Sequence, residues 1–315
     1  MTGSNLGSAL SVSSQKNGRQ LAVVSVLLAC VLFSTSATGR AYLDFPGSSI
    51  SVGAWRVFLG GIGLAAYAAI RYGTSGIRRL VKLPVVWVMA LAVLAYQISF
   101  FIGAARIGVA MGTLGALATA PFFAGVLGWI VGTGKPSGIW AISTVMGVIG
   151  LALITGVSEV RDNLGFFAVF ISGVMYAIFT VFGVRLTRTH DVTGAEVLGA
   201  AFGIGAVLSL PIVLFTSAWI NSALLVGFVL YIGLATTALG YILFGNGLTH
   251  LSPGTVSTLT LAEPVLATLM GVFILGEAMN LRGWIGCAVI IGALALLGIV
   301  ESRTPTNSNL ETSNA

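Results

Sequence analysis

The sequence contains few charged residues. Asp, Glu, Lys and Arg together make up 8% of the 315 residues, whereas 57% are hydrophobic and the mean hydropathy is +1.02. So few polar side chains cannot cover the surface of a water-soluble protein, because soluble domains usually carry about 25% charged residues. The composition therefore predicts an integral membrane protein.

Histidine and cysteine are also scarce, which leaves few candidates for metal or thiol chemistry. His190 and His250 lie in short connections with no second ligand at metal spacing, and neither an H-E-x-x-H motif nor a glycine-rich phosphate loop occurs. Cys30 and Cys287 both lie in apolar runs, where apolar packing is favoured over a disulfide. We therefore predict no metal, no cofactor, no enzymatic activity and no ATP-driven transport by this chain alone.

Apolar runs long enough to cross a bilayer occur ten times. A hydrocarbon core about 30 Å thick requires about 20 residues of helix. The predicted spans are 21–39, 49–70, 84–105, 108–132, 137–157, 164–184, 194–216, 223–245, 254–275 and 282–300. Residues 1–20 and 301–315 are predicted to be disordered cytoplasmic tails, and the first helix is expected to be retained rather than cleaved as a signal peptide.

Basic residues are distributed unevenly among the connections. With the N-terminus in the cytoplasm, ten lie inside and four outside. The inside set is Lys16, Arg19, Arg71, Arg78, Arg79, Lys82, Lys135, Arg185, Arg188 and Arg303, and the outside set is Arg40, Arg106, Arg161 and Arg282. This asymmetry predicts a plasma (inner) membrane protein with both termini cytoplasmic. It also accounts for the excess of 15 Lys and Arg over 9 Asp and Glu, so no nucleic-acid partner is predicted.

A segment near the C-terminus has an earlier counterpart. Residues 251–300 form two apolar runs with the pair Glu263-Pro264 near the middle of the first, and residues 108–154 have a similar pattern. Pro121 matches Pro264, and Gly134-Lys135 matches Gly276-Glu277. The chain is therefore predicted to contain an internal duplication.

Ten spans divide into two halves of five, residues 21–157 and 164–300. Because five is odd, the halves must enter the membrane from opposite sides, so we predict an inverted repeat. Lys135 and Glu277, at matching places, would then lie on opposite sides. Such repeats give many secondary transporters their two alternating gates.

These motifs resemble the EamA branch of the drug/metabolite transporter superfamily. The resemblance is strongest at Leu261-Ala262-Glu263-Pro264 with Gly276-Glu277, and extends to Ala120-Pro121, Arg56 and Tyr176-Ala177. It implies two EamA-like five-helix repeats around a central cavity, and efflux or exchange of small organic solutes, frequently amino acids. The chain departs from the family at Ser34-Thr35, where Trp-Gly is common, and at Gly134-Lys135 in place of Gly-Glu.

Glu263 is the clearest candidate for chemistry. A carboxylate at mid-span costs roughly 2.5 to 3.5 kcal/mol to insert, so such residues usually serve a function. It is a candidate to take up a proton that couples transport to a gradient, or to bind a substrate amine. A structural alternative is a protonated carboxyl that is hydrogen-bonded to backbone freed by Pro264 or to the Thr260 hydroxyl.

Pro121 and Pro264 are candidate hinges. Each proline removes a backbone hydrogen bond, which leaves a carbonyl available to substrate and a place where the helix can bend. The alternative is a static kink that only shapes packing. We favour a hinge that lines the pathway, because prolines recur at matching places in the two copies.

Arg56 is a candidate ligand for a substrate carboxylate; alternatively, its side chain extends to the outer lipid head groups. Polar and aromatic side chains on other spans complete the predicted substrate site: Ser34, Thr35, Tyr96, Gln97, Phe100, Tyr176, Tyr241 and Asn246. A cavity for small zwitterions or aromatic metabolites needs this mixture of directional hydrogen bonds and apolar wall.

The sequence thus predicts a secondary transporter that exports small organic metabolites, amino acids or related compounds, with the proton as candidate coupling ion. Its partners would be this substrate and membrane lipids, and the oligomeric state is not predicted. One alternative is uptake or exchange of a carboxylate or nucleotide-linked solute. An alternative of another class is a non-transporting scaffold or an intramembrane enzyme.

Overall fold

A computed structural model describes residues 3–42, 48–107, 109–156, 162–276 and 278–303. Over these residues the regular structure is entirely helical. The helices are α1 (Gly3–Tyr42), α2 (Ser49–Tyr72), α3 (Thr74–Val81), α4 (Pro84–Ile107), α5 (Val109–Ile130), α6 (Gly138–Thr155), α7 (Asn163–Thr189), α8 (Gly194–Thr216), α9 (Ala223–Leu230), a π-helical segment (Tyr231–Leu239), α10 (Gly240–His250), α11 (Pro253–Leu259), α12 (Ala262–Leu275) and α13 (Leu281–Arg303).

Ten helical segments in the described ranges are long and apolar enough to cross a membrane, which confirms the predicted all-α membrane fold. We number them spans 1 to 10 in chain order: Asn17–Ser36, Ile50–Tyr72, Pro84–Ile107, Met111–Ile130, Gly138–Thr155, Asn163–Thr189, Gly194–Thr216, Ala223–His250, Pro253–Ile274 and Leu281–Ile299. Span 8 comprises α9, the π-helical segment and α10, and span 9 comprises α11 and α12.

The N-terminal segment differs from the prediction. Helix α1 begins at Gly3, so residues 3–20 are helical where a disordered tail was expected. The sequence has no proline in residues 3–20, so no residue there removes a backbone donor from the helix that continues into span 1. Residues 304–315, most of the predicted C-terminal tail, lie outside the described residues, as do Gly108, Arg161 and Glu277.

Side-chain caps fix where several helices begin. The oxygens of Ser48, Ser137, Asp162, Thr193, Ser222 and Ser252 each accept a hydrogen bond from a backbone N–H in the first turn of the helix that follows. At α8 the cap is reciprocal, because Glu196 also accepts a hydrogen bond from the backbone N–H of Thr193. Each cap satisfies a backbone donor that has no partner within its own helix.

Contacts between the two halves occur in matching pairs. Spans 2, 4 and 5 contact their own counterparts, spans 7, 9 and 10. The contact of span 3 with span 6 is matched by that of span 8 with span 1, and the contact of span 4 with span 6 by that of span 9 with span 1. If the two halves are related by a two-fold axis, each contact between two spans must recur between their counterparts in the other half, as observed here. The contacts therefore support the predicted duplication and are consistent with an inverted repeat.

An aromatic cluster fills the centre of the bundle. Phe179 of α7 is fully buried, and its ring contacts those of Tyr176, Phe202, Tyr241 and Phe244 at centroid distances of 4.9 to 6.5 Å. The rings meet edge-on or tilted, as aromatic pairs prefer. Spans 6, 7 and 8 are thereby joined by one continuous apolar core.

Candidate functional site

One large cavity, of about 980 Å³, lies between the spans. Its wall combines polar and apolar side chains from both halves of the chain. The polar and titratable members are Ser34, Ser36, Arg56, Tyr96, Gln97, Thr113, Thr155, Tyr176, Tyr241, Thr260, Glu263 and Thr268. The volume is at the upper end of the range for small-molecule sites, which is about 300 to 1,000 Å³.

The cavity occupies one half of the bundle's depth. It is lined by the end of span 1 at Ser34 and Ser36, by span 3 only from Tyr96 onward, and by Thr155, the last residue of span 5. It also reaches Met279, in the connection between spans 9 and 10. The cavity therefore opens at the face where spans 1, 3 and 5 end, which we call the open face; the opposite face is the closed face.

Packing and hydrogen bonds seal the closed face. Tyr176 and Tyr241 form the floor of the cavity and belong to the aromatic cluster around Phe179. Beyond the cluster, the Thr187 hydroxyl donates to the carbonyl oxygen of Leu248 at 3.0 Å, which ties α7 to α10. A solute in the cavity thus has access to the open face only.

Glu263 lies beside a break in span 9. Helix α11 ends at Leu259 and α12 begins at Ala262, and the backbone N–H of Glu263 donates to the carbonyl oxygen of Thr260 at 3.0 Å. Pro264 has no N–H to continue the ladder. Glu263 and Pro264 both line the cavity at this break, so the carboxylate is presented at mid-depth by an interrupted helix.

Pro121 behaves differently from its counterpart. It lies inside the continuous helix α5, and the cavity is lined by its neighbour Ala120 rather than by Pro121 itself. The two prolines are therefore not structurally equivalent, although they match in sequence. Of the two predicted hinges, only Pro264 coincides with an interrupted helix.

Arg56 of α2 also lines the cavity, close enough to Glu263 for their charges to interact. The two are nevertheless not paired, because among the described residues the only ion pair within 4 Å is that of Arg106 with Asp162. The guanidinium Nε of Arg56 donates to the Thr237 hydroxyl at 3.4 Å. One cavity therefore holds a guanidinium and a carboxyl group that are not paired with each other.

Most of the predicted site residues meet in this cavity. Its lining includes Ser34, Arg56, Tyr96, Gln97, Phe100, Tyr176, Tyr241, Glu263 and Pro264. Thr35 and Asn246 are not among the residues that line this cavity. Thr35 accepts a hydrogen bond from the Tyr231 hydroxyl, while Asn246 donates to Ser25 at 3.0 Å and holds α10 against α1.

The hydroxyls of the lining that the sequence did not predict are those of Ser36, Thr113, Thr155 and Thr268. Thr260, Pro264, Thr268 and Val272 recur at intervals of four residues, and all line the cavity. Residues four apart lie on one face of a helix. This periodicity, counted from Pro264, indicates Thr268. Counted from Pro121, the same periodicity indicates Thr113, two steps of four residues earlier, whereas Thr155 has no such neighbour.

An ion pair ties two spans together at the rim of the open face. Asp162 precedes α7 and accepts hydrogen bonds from the backbone N–H of Gly165 at 2.8 Å and from Nε of Arg106 at 3.0 Å. Both interactions favour the charged carboxylate, the Gly165 hydrogen bond most, so the pKa of Asp162 is lowered from its ordinary value of 3.8.

Comparison with known proteins places this arrangement among transporters. Residues 163–299 match the EamA-like transporter family. A Bacillus subtilis (strain 168) protein described as "Uncharacterized transporter YwfM" is 30% identical over 284 residues, which cover 89% of this chain and 95% of that protein. A Clostridium kluyveri protein described as "Uncharacterized transporter" is 28% identical over 172 residues, 51% of this chain and 54% of that protein.

A solved crystal structure has the same fold. It superposes with a TM-score of 0.74 over 90% of this chain and 99% of its own, at 22% sequence identity. At this level of identity the similarity establishes the fold, and the chemistry of the cavity has to be argued from the residues of this chain.

Proposed function

The chain belongs to the EamA-like transporter family, and from this premise we propose that it exports small zwitterionic metabolites, amino acids or related compounds, by alternating access. The proposal depends on one observation: Arg56 and Glu263 face the same cavity without pairing to each other. An α-amino acid carries a carboxylate for the guanidinium and an ammonium group for the carboxylate. Both half-buried side chains would thereby gain a charged partner.

The rest of the wall suits the side chain of such a substrate. Tyr96, Phe100 and Tyr241 contribute aromatic surface, and Ser34 and Gln97 contribute hydrogen-bonding groups. Apolar surface with a few directional polar groups is typical of sites that bind small organic molecules. The aromatic share favours amino acids with large apolar or aromatic side chains.

Closure at one face only is consistent with alternating access. The cavity opens where span 1 ends and is sealed at the other end by the aromatic cluster. With the N-terminus in the cytoplasm, as the basic residues favour, this is an outward-open state. The inward-open state would form by separation of the closed face and closure of the open face around the same two charges.

Glu263 would also supply the coupling. A single carboxylate can bind either the substrate ammonium or a proton. Binding of one weakens binding of the other, because each neutralises the same negative charge. Release of substrate outside would leave Glu263 free to take a proton, which the protein would carry back to the cytoplasm. Export would then be driven by the inward proton gradient, with Glu263 alternating between the two ligands.

Two experiments test this proposal. In cells, metabolites that accumulate outside are compared with and without the gene, and zwitterionic amino acids are expected among those that increase. In proteoliposomes, L-phenylalanine flux is compared with that of phenethylamine and 3-phenylpropionate, which each lack one of the two charges. We expect the wild-type protein to transport L-phenylalanine in preference to both analogues. This preference should be lost in Arg56→Gln and in Glu263→Gln.

Other outcomes would favour the alternatives. If 3-phenylpropionate moved as well as L-phenylalanine, and depended on Arg56 but not on Glu263, uptake or exchange of a carboxylate would replace export of a zwitterion. If purified protein moved no metabolite under either gradient direction, a scaffold or an intramembrane enzyme would be favoured over a transporter.

A further inference from the structure

Span 8 contains a π-helical segment, Tyr231–Leu239, at the level of Arg56. A π-helix closes its hydrogen bonds between residues five apart rather than four, and such segments are rare and frequently lie at functional sites. Residues Ile232 and Tyr241, at either end of this segment, line the cavity. The unusual backbone therefore lies against the proposed substrate site.

The π-helical backbone orients two neighbouring threonine hydroxyls differently. Thr236 and Thr237 each donate to the carbonyl oxygen of Ile232, both at 2.7 Å. The bond from Thr236 spans four residues, as in an α-helix, whereas that from Thr237 spans five. With its proton committed to Ile232, the Thr237 oxygen directs its lone pairs outward, and one accepts the Nε–H of Arg56 at 3.4 Å.

Gly60 permits this approach. It lies one turn after Arg56 on α2, and a Cβ atom at this position would lie 2.7 Å from the Cβ of Thr237, closer than real Cβ contacts. The bare backbone of Gly60 thus accommodates the Thr237 methyl group. Helix α2 and the π-helical segment can then pack closely enough for the hydroxyl to reach the guanidinium.

We propose that Thr237 is a positioning residue for Arg56, holding Nε so that the two terminal nitrogens, Nη1 and Nη2, present a bidentate site to the substrate carboxylate. This inference rests on the proposed function. A hydroxyl suits the task because it holds the guanidinium without neutralising it, whereas an acidic residue would compete with the substrate. Within the described part of the chain Thr237 is the sole hydrogen-bond partner of the Arg56 guanidinium.

The first test needs no substrate. The full chain, labelled with 15N-arginine in detergent micelles, gives an Nε–H signal for Arg56 that is assigned by its loss in Arg56→Lys. Hydrogen exchange of this signal is expected to be about tenfold faster in Thr237→Val, because a hydrogen bond to a charged donor is lost. Thr237→Ser should retain the wild-type rate.

Thr236→Val is the matched control. Thr236 makes the same bond to Ile232, is fully buried, and has no hydrogen bond to Arg56 among the described residues. A purely structural role of these threonines predicts equal effects of the two valine substitutions. Equal exchange rates in Thr236→Val and Thr237→Val would overturn the proposal.

The second test measures transport in proteoliposomes. For L-phenylalanine, Thr237→Val is expected to raise KM about tenfold with little change in kcat, since the lost interaction acts on binding. Thr237→Ser should restore the wild-type KM, and Thr236→Val should not alter it. Phenethylamine, which lacks the carboxylate, should bind equally to wild type and to Thr237→Val.

The proposed transport of zwitterions and the proposed positioning role of Thr237 can be refuted independently. If Arg56→Gln leaves L-phenylalanine transport unchanged, or wild type does not move this amino acid, the assigned carboxylate site is wrong and the exchange rates alone decide whether Thr237 holds Arg56. If Arg56→Gln abolishes transport but Thr237→Val matches wild type, the site stands and the positioning role is wrong.

Discussion

Arg188, in the last turn of α7, donates a hydrogen bond to the backbone carbonyl oxygen of Thr133, in the connection between spans 4 and 5. A second nitrogen of the same guanidinium donates to the carbonyl oxygen of Leu251, between spans 8 and 9, at 3.4 Å. One side chain thus holds the ends of spans 4, 6 and 8 together at the closed face. These connections would have to separate for the cavity to open there.

Arg188→Ala should therefore shift the protein toward opening at the closed face. Hydrogen bonds to a charged donor are worth about 1.5 to 3 kcal/mol each when buried, and solvent weakens those of the exposed Arg188, so loss of the pair should change the equilibrium at least about tenfold. The measurement is the distance distribution between spin labels near Thr133 and Leu251, in which a longer component should grow. Arg185, about one turn earlier, is equally exposed but bonds neither Thr133 nor Leu251, so Arg185→Ala should leave the distribution unchanged. Equal shifts in both variants would show a general loosening instead.

Much of the fold is predictable because membrane insertion imposes simple rules on sequence. Ten apolar runs gave ten spans, and Glu263 was conspicuous because a carboxylate at mid-span is costly. The π-helical segment and Thr237 left no such signal. The sequence of this segment is that of an ordinary apolar helix, and its close packing against Gly60 of a distant span is visible only in the structure.

The sequence also did not predict how the two prolines differ in local structure. Four residues before Pro264 stands Thr260, whose hydroxyl donates to the carbonyl oxygen of Ser257 at 2.7 Å and so competes with the helical ladder. Four residues before Pro121 stands Leu117, which has no polar side-chain atom, and α5 continues unbroken. Pairing of prolines in sequence therefore did not predict their local structure.

Asp162 should give the open face a pH-dependent contribution to stability. Its pKa is lowered in the folded protein, so its contribution is complete above the ordinary value of 3.8 and is lost as pH falls through the lower folded value. The melting temperature of Asp162→Ala should lie below that of wild type at pH 7, and the difference should shrink below pH 4. Asp162→Asn, which can still cap α7, should show the smaller deficit at pH 7. A deficit that grew on acidification would contradict the assignment.

Gly194→Ala should destabilise the contact between α8 and α10. A Cβ at this position would collide with the backbone carbonyl oxygen of Gly245, and backbone cannot move aside as a side-chain tip can. We expect a loss of about 3 kcal/mol, at the upper end for overpacking. Gly227→Ala is the control, because a Cβ there has no atom within 4 Å and alanine favours helix. Thermal unfolding in detergent, monitored by tryptophan fluorescence, should separate the two variants; equal stability would mean that α8 can shift.

Glu263→Gln should abolish the dependence of L-phenylalanine flux on the pH gradient. Glutamine has nearly the same shape as glutamate, but its amide does not bind and release a proton in the physiological pH range. Exchange of labelled for unlabelled substrate at equal pH should persist, though weakened, since the amide still accepts a hydrogen bond from the substrate ammonium. Glu196→Gln is the matched control: Glu196 is buried in the cap of α8, outside the cavity lining, so its variant should retain gradient-driven flux. Gradient-driven flux that survived in Glu263→Gln would place the proton on another group and remove the competition between proton and substrate from which the coupling follows.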